Sequence, residues 1–117
     1  MEIVSLENAE HYNWCGVCDG WHLLKSAALS VIQERVPAGG SETMHYHERA
    51  HQFFFVLSGS ATLEVEDQRL MLGPQQGLSI PPNVPHRLLN ETQEDLWFIV
   101  ISSPMSHGDR IPVGQAV

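Results

Sequence analysis

Apolar and polar side chains alternate along much of this chain, and no segment repeats them with the 3.6-residue spacing of a helix. Ala61, Leu63 and Val65 alternate with Thr62, Glu64 and Glu66. A period of two turns one face of a strand inward and the other outward. Residues 27–36 form a β-favouring run that ends at Pro37-Ala38-Gly39-Gly40, and residues 42–47 form a short polar strand. Residues 52–57 contain Phe53-Phe54-Phe55-Val56-Leu57, an aromatic run too short for a helix, which Ser58-Gly59 breaks.

Turn chemistry continues at regular intervals. Asp67-Gln68 leads into residues 69–72, and Gly73-Pro74 turns the chain again. Residues 78–80 stop at Pro81-Pro82, and residues 87–89 follow. Residues 94–102 hold Leu96-Trp97-Phe98-Ile99-Val100-Ile101, expected as a strand buried on both faces. The pattern predicts roughly eight or nine short strands, hence an all-β sandwich or barrel. No internal repeat, low-complexity segment or linker divides the 117 residues, so a single domain is expected. Residues 108–117 offer few apolar anchors and read as a loose tail.

Charge narrows the partners. Fourteen acidic residues against six basic ones give a formal charge of −8. That balance argues against a nucleic-acid backbone and against anionic membrane surfaces. No stretch approaches the ~18 apolar residues of a membrane-spanning helix. The start, Met1-Glu2-Ile3-Val4-Ser5-Leu6-Glu7, lacks the basic-then-apolar order of a secretion signal. A cytoplasmic location is therefore the expectation.

Cys15-Gly16-Val17-Cys18 has the spacing of a redox motif, but Asp19-Gly20 follows it. That is turn chemistry, where a redox motif needs a helix N-terminus to lower the thiol pKa. A zinc half-site would need a second cysteine pair, which the chain lacks. Two reduced thiols without a catalytic role are expected.

The candidate chemistry lies in histidines. His45 and His47 flank Tyr46, so in a strand both imidazoles point to one side and can share a metal ion. Imidazole suits Zn, Cu, Fe and Ni, and an amide or carboxylate oxygen can complete the set. With seven histidines in the chain, one His-x-His pair is weak on its own. His86, within Ile80-Pro81-Pro82-Asn83-Val84-Pro85-His86, can join the pair if the sheet closes on itself. His11 and His107 have no partner pattern and read as surface residues.

Two motifs carry a resemblance. Gly39 is followed after five residues by His45-Tyr46-His47, after four more by Gln52, and after six more by Gly59. Later, Pro81-Pro82-Asn83-Val84-Pro85-His86 is followed by Asn90. In order and spacing these resemble the two motifs of the cupins, small double-stranded β-helix (jelly-roll) barrels. The family's Glu is Gln52 here. The second motif's Gly is Asn83, the least costly replacement, because Asn tolerates positive φ.

The resemblance implies a cupin barrel over residues 27–103, an N-terminal arm over 1–26 that packs on it or pairs with another subunit, and a C-terminal tail over 104–117. It implies a divalent metal (Fe, Mn, Ni, Zn or Cu) held by His45, His47, Gln52 and His86. His51 is the alternative to Gln52, since neighbours on a strand face opposite ways. It also implies a small-molecule ligand or substrate, with no nucleic acid and no membrane as partner. Open strand edges point to a homodimer. Three functions fit: a metal-dependent enzyme such as a dioxygenase, a metal-independent sugar isomerase or epimerase, and a ligand-binding sensor without turnover.

Overall fold

A computed structural model describes residues 1–114 of the chain. Eleven strands are formed among the described residues, with no helix: β1 (Glu10–Trp14), β2 (Cys18–Lys25), β3 (Ser30–Val36), β4 (His45–His47), β5 (His51–Ser58), β6 (Ala61–Val65), β7 (Gln68–Leu72), β8 (Gly77–Ile80), β9 (His86–Leu89), β10 (Leu96–Ser103) and β11 (Arg110–Pro112). They make two antiparallel sheets of a double-stranded β-helix. One has the order β1-β2-β3-β10-β5-β8, the other β11-β4-β9-β6-β7.

The inward rows follow the alternation of the sequence. Ile32 and Val36 of β3, Phe54 and Val56 of β5, Leu63 of β6, Leu88 of β9 and Phe98 of β10 are buried together. Burying one such apolar side chain contributes roughly 1.5–3 kcal/mol, so this shared interior is what joins the two sheets. Strand β10 departs from expectation. Leu96, Phe98, Val100 and Ser102 are buried, whereas Trp97, Ile99 and Ile101 are only half-buried on the outer face. There Trp97 stacks on Trp21 with ring centroids 5.6 Å apart.

Two turns explain the small or permissive residues at motif positions. Gly59 has φ 85°, and a Cβ there would lie 2.5 Å from the Asp95 carbonyl oxygen. Asn83 has φ 66°, the left-handed conformation that its amide side chain tolerates. Its N–H donates to the His47 carbonyl at 2.7 Å, which ties the second motif to the end of β4.

The segment before the barrel is paired with it: β2 pairs with β3 and β1 with β2, extending the larger sheet. The tail expected over residues 108–117 is likewise in place as far as Gly114, with residues 115–117 outside the described residues. Arg110–Pro112 pairs with β4, and Asp109 is buried. Asp109 accepts backbone N–H bonds from Glu48 (3.2 Å), Arg49 (2.9 Å) and Ala50 (2.9 Å). The carboxylate satisfies three donors of a tight loop that no strand partner reaches.

Cys15 and Cys18 are joined as a disulfide, which corrects the expectation of two reduced thiols. The reason lies in the hairpin. Cys15 and Gly16 take positive φ and turn β1 back on β2, which brings the two Cα atoms to 5.4 Å, inside the range a disulfide spans.

Candidate metal centre

Three elements bring the candidate residues together. His45 and His47 project inward from β4, which burial shows directly: both are buried and Tyr46 between them is not. His86 opens β9 and is the antiparallel register partner of His45. The ring centroids of His45 and His86 lie 4.4 Å apart, and those of His45 and His47 lie 5.1 Å apart. One nitrogen from each of the three rings falls within 4.8 Å of the others.

The ring orientations are fixed from behind. His45 Nδ1–H donates to the Thr43 carbonyl and His86 Nδ1–H to the Val84 carbonyl, each at 2.9 Å. A donating Nδ1 leaves Nε2 as a lone pair, the arrangement used by metal-binding histidines. His86 Nε2 is buried without a partner, as is His47 Nδ1.

Burial holds all three imidazoles neutral. It drives His45 down to about 3 and His86 to about 4. His47 is also lowered by burial, against the opposing pull of Asp109. Neutral imidazole is the form that ligates a metal.

Gln52 and His51 face opposite ways. Gln52 is inward and buried, whereas His51 is exposed and its Nε2 meets Ser79 Oγ at 2.6 Å. Gln52 Nε2 donates to Ser102 Oγ at 3.1 Å, leaving Oε1 buried with no partner. An unsatisfied buried acceptor costs about 1–3 kcal/mol. Three such atoms on His47, Gln52 and His86 match the chemistry of a divalent cation, which accepts lone pairs from nitrogen and oxygen donors.

His45 and His47 open into a cavity of about 630 Å³, lined also by Trp14, Ile32, Phe54 and Val100. Sequence reasoning missed four ionisable residues there: Tyr12, Glu34, Glu42 and Arg110. Glu34 was visible in principle, as a carboxylate at an inward place in the alternation of β3. Arg110 was not, because its segment carries no motif. His107 is exposed, as expected, and also borders this cavity, and its ring lies 5.5 Å from that of Tyr12. Tyr46, Arg87, Trp97 and Ile99 are all half-buried in the outward places of their strands.

The chain belongs to the cupin domain family, whose profile matches residues 32–102, more than half of its length. It is 24% identical over 89 residues to an uncharacterized protein of Methanocaldococcus jannaschii, covering 75% of this chain and 71% of that one. It is 39% identical over 62 residues to the uncharacterized HTH-type transcriptional regulator YobQ of Bacillus subtilis. That match covers 50% of this chain but only 26% of the regulator's length. Among solved structures, the polyketide cyclase RemF of Streptomyces resistomycificus superposes with a TM-score of 0.83 at 19% identity, covering 99% of this chain and 87% of RemF. KdgF from Halomonas sp. gives 0.79 at 20% identity, covering 87% and 94%. At these identities the likeness establishes the double-stranded β-helix fold alone.

Proposed function

We propose that this cupin is a metal-dependent enzyme acting on a small molecule, with the metal held by His45, His47, Gln52 and His86. The observation that carries this reading is the convergence of buried, neutral imidazoles and an unpaired amide oxygen at one wall of a ligand-sized cavity. Three nitrogens and a neutral oxygen leave the cation's charge intact. Such a site supplies Lewis acidity to a bound carbonyl or water. The set suits Fe, Mn, Ni, Zn or Cu, the first-row metals that imidazole and oxygen donors accommodate. Structural similarity to a named polyketide cyclase supports a small organic substrate.

Thr43 and Val84 act as positioning residues, since their carbonyls hold His45 and His86 with Nε2 turned away from the backbone. Arg110, on the opposite side of β4 in the sheet from β9, brings a positive charge to the cavity. It suits a substrate with an anionic or strongly polar end.

A ligand-binding reading without turnover has one specific support, the match to part of a transcriptional regulator. Both readings use the same metal and cavity. We also infer that the protein works as a homodimer in the cytoplasm. No helix among the described residues is long and apolar enough to cross a membrane.

The test is elemental analysis of the untagged chain before and after reconstitution with each first-row metal. One equivalent lost in His45→Ala and His86→Ala supports the centre. Substoichiometric metal in every reconstituted sample sinks it. Oxygen consumption and substrate turnover by the loaded protein then separate the enzyme from the sensor.

A further inference from the structure

Strand β3 carries a side chain that the barrel interior has no packing reason to hold. Its inward row is Ser30, Ile32, Glu34 and Val36, and Glu34 sits where the alternation calls for an apolar group. Glu34 is only 8% exposed, and the neighbouring cations are engaged elsewhere. Arg35 points to the other face and pairs with Asp19 and Asp95. Lys25 pairs with Glu10. What meets Glu34 is Tyr12, whose hydroxyl donates to Oε2 at 2.7 Å.

The reach of Tyr12 is built into the sheet. Tyr12, Gly20 and Glu34 are register partners across β1, β2 and β3. The ring of Tyr12 lies over Gly20, where a Cβ would come within 2.3 Å of its Cζ. Any larger residue at position 20 would push Tyr12 off Glu34. Here glycine supplies space rather than a special φ.

Tyr12 and Glu34 line the same cavity as His45, His47 and Gln52. A buried carboxyl without a counter-ion is costly, and such groups concentrate at functional sites. Burial is the main cause that raises Glu34 to about 8, with the Tyr12 hydrogen bond opposing it and Glu42 reinforcing it. A neutral carboxyl can accept from Tyr12 on one oxygen and donate from the other.

We propose that Tyr12 and Glu34 form a second, proton-bearing pole of the cavity, which hydrogen-bonds a hydroxyl group of a ligand whose carbonyl or carboxylate end lies at the histidines. The ligand class is a hydroxylated carbonyl compound that fits within about 630 Å³. The proposal rests on the metal reading above and adds what recognises the far end of the substrate. Gln52 Oε1 and His47 Nδ1, buried and unpaired in the same cavity, mark the opposite pole.

The test uses the full chain loaded with cobalt(II), with benzohydroxamate and its 3- and 4-hydroxy derivatives as probes. One hydroxylated probe is expected to bind at least about tenfold tighter than the parent, a hydrogen bond's worth of affinity. Tyr12→Phe and Glu34→Leu should abolish that advantage while leaving cobalt content and parent-probe affinity unchanged. The infrared C=O stretch of a neutral carboxyl should disappear in Glu34→Leu and shift when the hydroxylated probe binds. A pair that merely holds β1 against β3 would lower stability in the variants yet leave the hydroxyl advantage intact, and that result overturns the proposal. So does the lack of advantage for either hydroxylated probe, or of a carboxyl band that Glu34→Leu removes. Failure of all three proteins to bind cobalt counts against the metal reading instead. Phenol then replaces the hydroxamates: a shift of the Glu34 band in metal-free protein supports the pole, and no shift overturns it.

Discussion

His45 and His86 face each other as register partners on β4 and β9, with ring centroids 4.4 Å apart. A strand pair that puts two neutral imidazoles in contact has little to gain from packing. Ordering and desolvating them is offset when a cation is bound, because binding to the folded state alone stabilises it.

Removing His86 should therefore weaken metal binding more than altering Gln52. Deleting a ligand exceeds the 10–100-fold loss typical of outer-shell changes, so His86→Ala should lose at least about 100-fold. Gln52→Glu should instead tighten binding about tenfold, since a carboxylate adds charge and Ser102 can turn its hydroxyl to donate. Competition titration with a chelating dye measures both. Weaker binding by Gln52→Glu would show that Gln52 is not a ligand.

Stability should respond to pH through Glu34. Its folded-state pKa, about 8, lies above the ordinary carboxyl value of 4.5. A raised carboxyl favours folding fully below the unfolded value, and the benefit is lost as pH rises through 8. Glu34→Gln should therefore gain on the order of 2–4 kcal/mol relative to wild type between pH 5 and pH 8.5. The lowered His45 and His86 act oppositely, destabilising the metal-free fold as pH falls below about 6.5, and the variant leaves that limb unchanged. Urea melts at the two pH values decide it. Equal stability differences at both would refute the assignment.

The Cys15–Cys18 disulfide closes a very short loop. In the chain-entropy picture such a loop contributes about 2 kcal/mol or less. Cys15→Ser with Cys18→Ser should lower the melting temperature by a few degrees without unfolding the barrel. Calorimetry with and without reductant checks this, and a wild type insensitive to dithiothreitol would contradict it.

Much of this architecture was legible in the primary structure, because alternation is a direct image of a two-faced sheet. Asn83 and Gly59 marked turns whose φ values only they tolerate well. Alternation required that only one of His51 and Gln52 face inward, and it is Gln52 that does. Other features were hidden for physical reasons. Asp109 reads as one more surface carboxylate until the loop at residues 48–50 is seen folding onto it. Glu34 falls in the inward row with Ile32 and Val36, but only the folded chain shows Tyr12 reaching it from β1. The disulfide depended on the left-handed turn at Cys15 and Gly16, a conformation the composition of the segment does not dictate.

Asp109→Ala should cost roughly 2–3 kcal/mol, since it leaves buried N–H groups of residues 48–50 without acceptors. It should also loosen His47, whose strand ends at that loop. Hydrogen exchange at Arg49 and Ala50 reads the local effect, and unchanged protection there would refute the capping role.

Homodimer formation should give a scattering mass near 26 kDa, about twice the 13.1 kDa of the chain. Trp97→Glu, which places a charge on the stacked Trp21–Trp97 face, is expected to shift the equilibrium toward monomer. A wild-type mass near 13 kDa at micromolar concentration would rule the dimer out.

Tyr12 and Arg110 meet the same chamber from either side of the two histidine motifs in the sequence. During synthesis, then, a ribosome that has already released both motifs still holds an unfinished vessel. One wall waits for the segment around Arg110 to emerge. Long-range closures of this kind make folding slow. A product cut short after Asn90 would carry both recognisable motifs of the family yet lack Val100, His107 and Arg110, which complete the wall of the chamber.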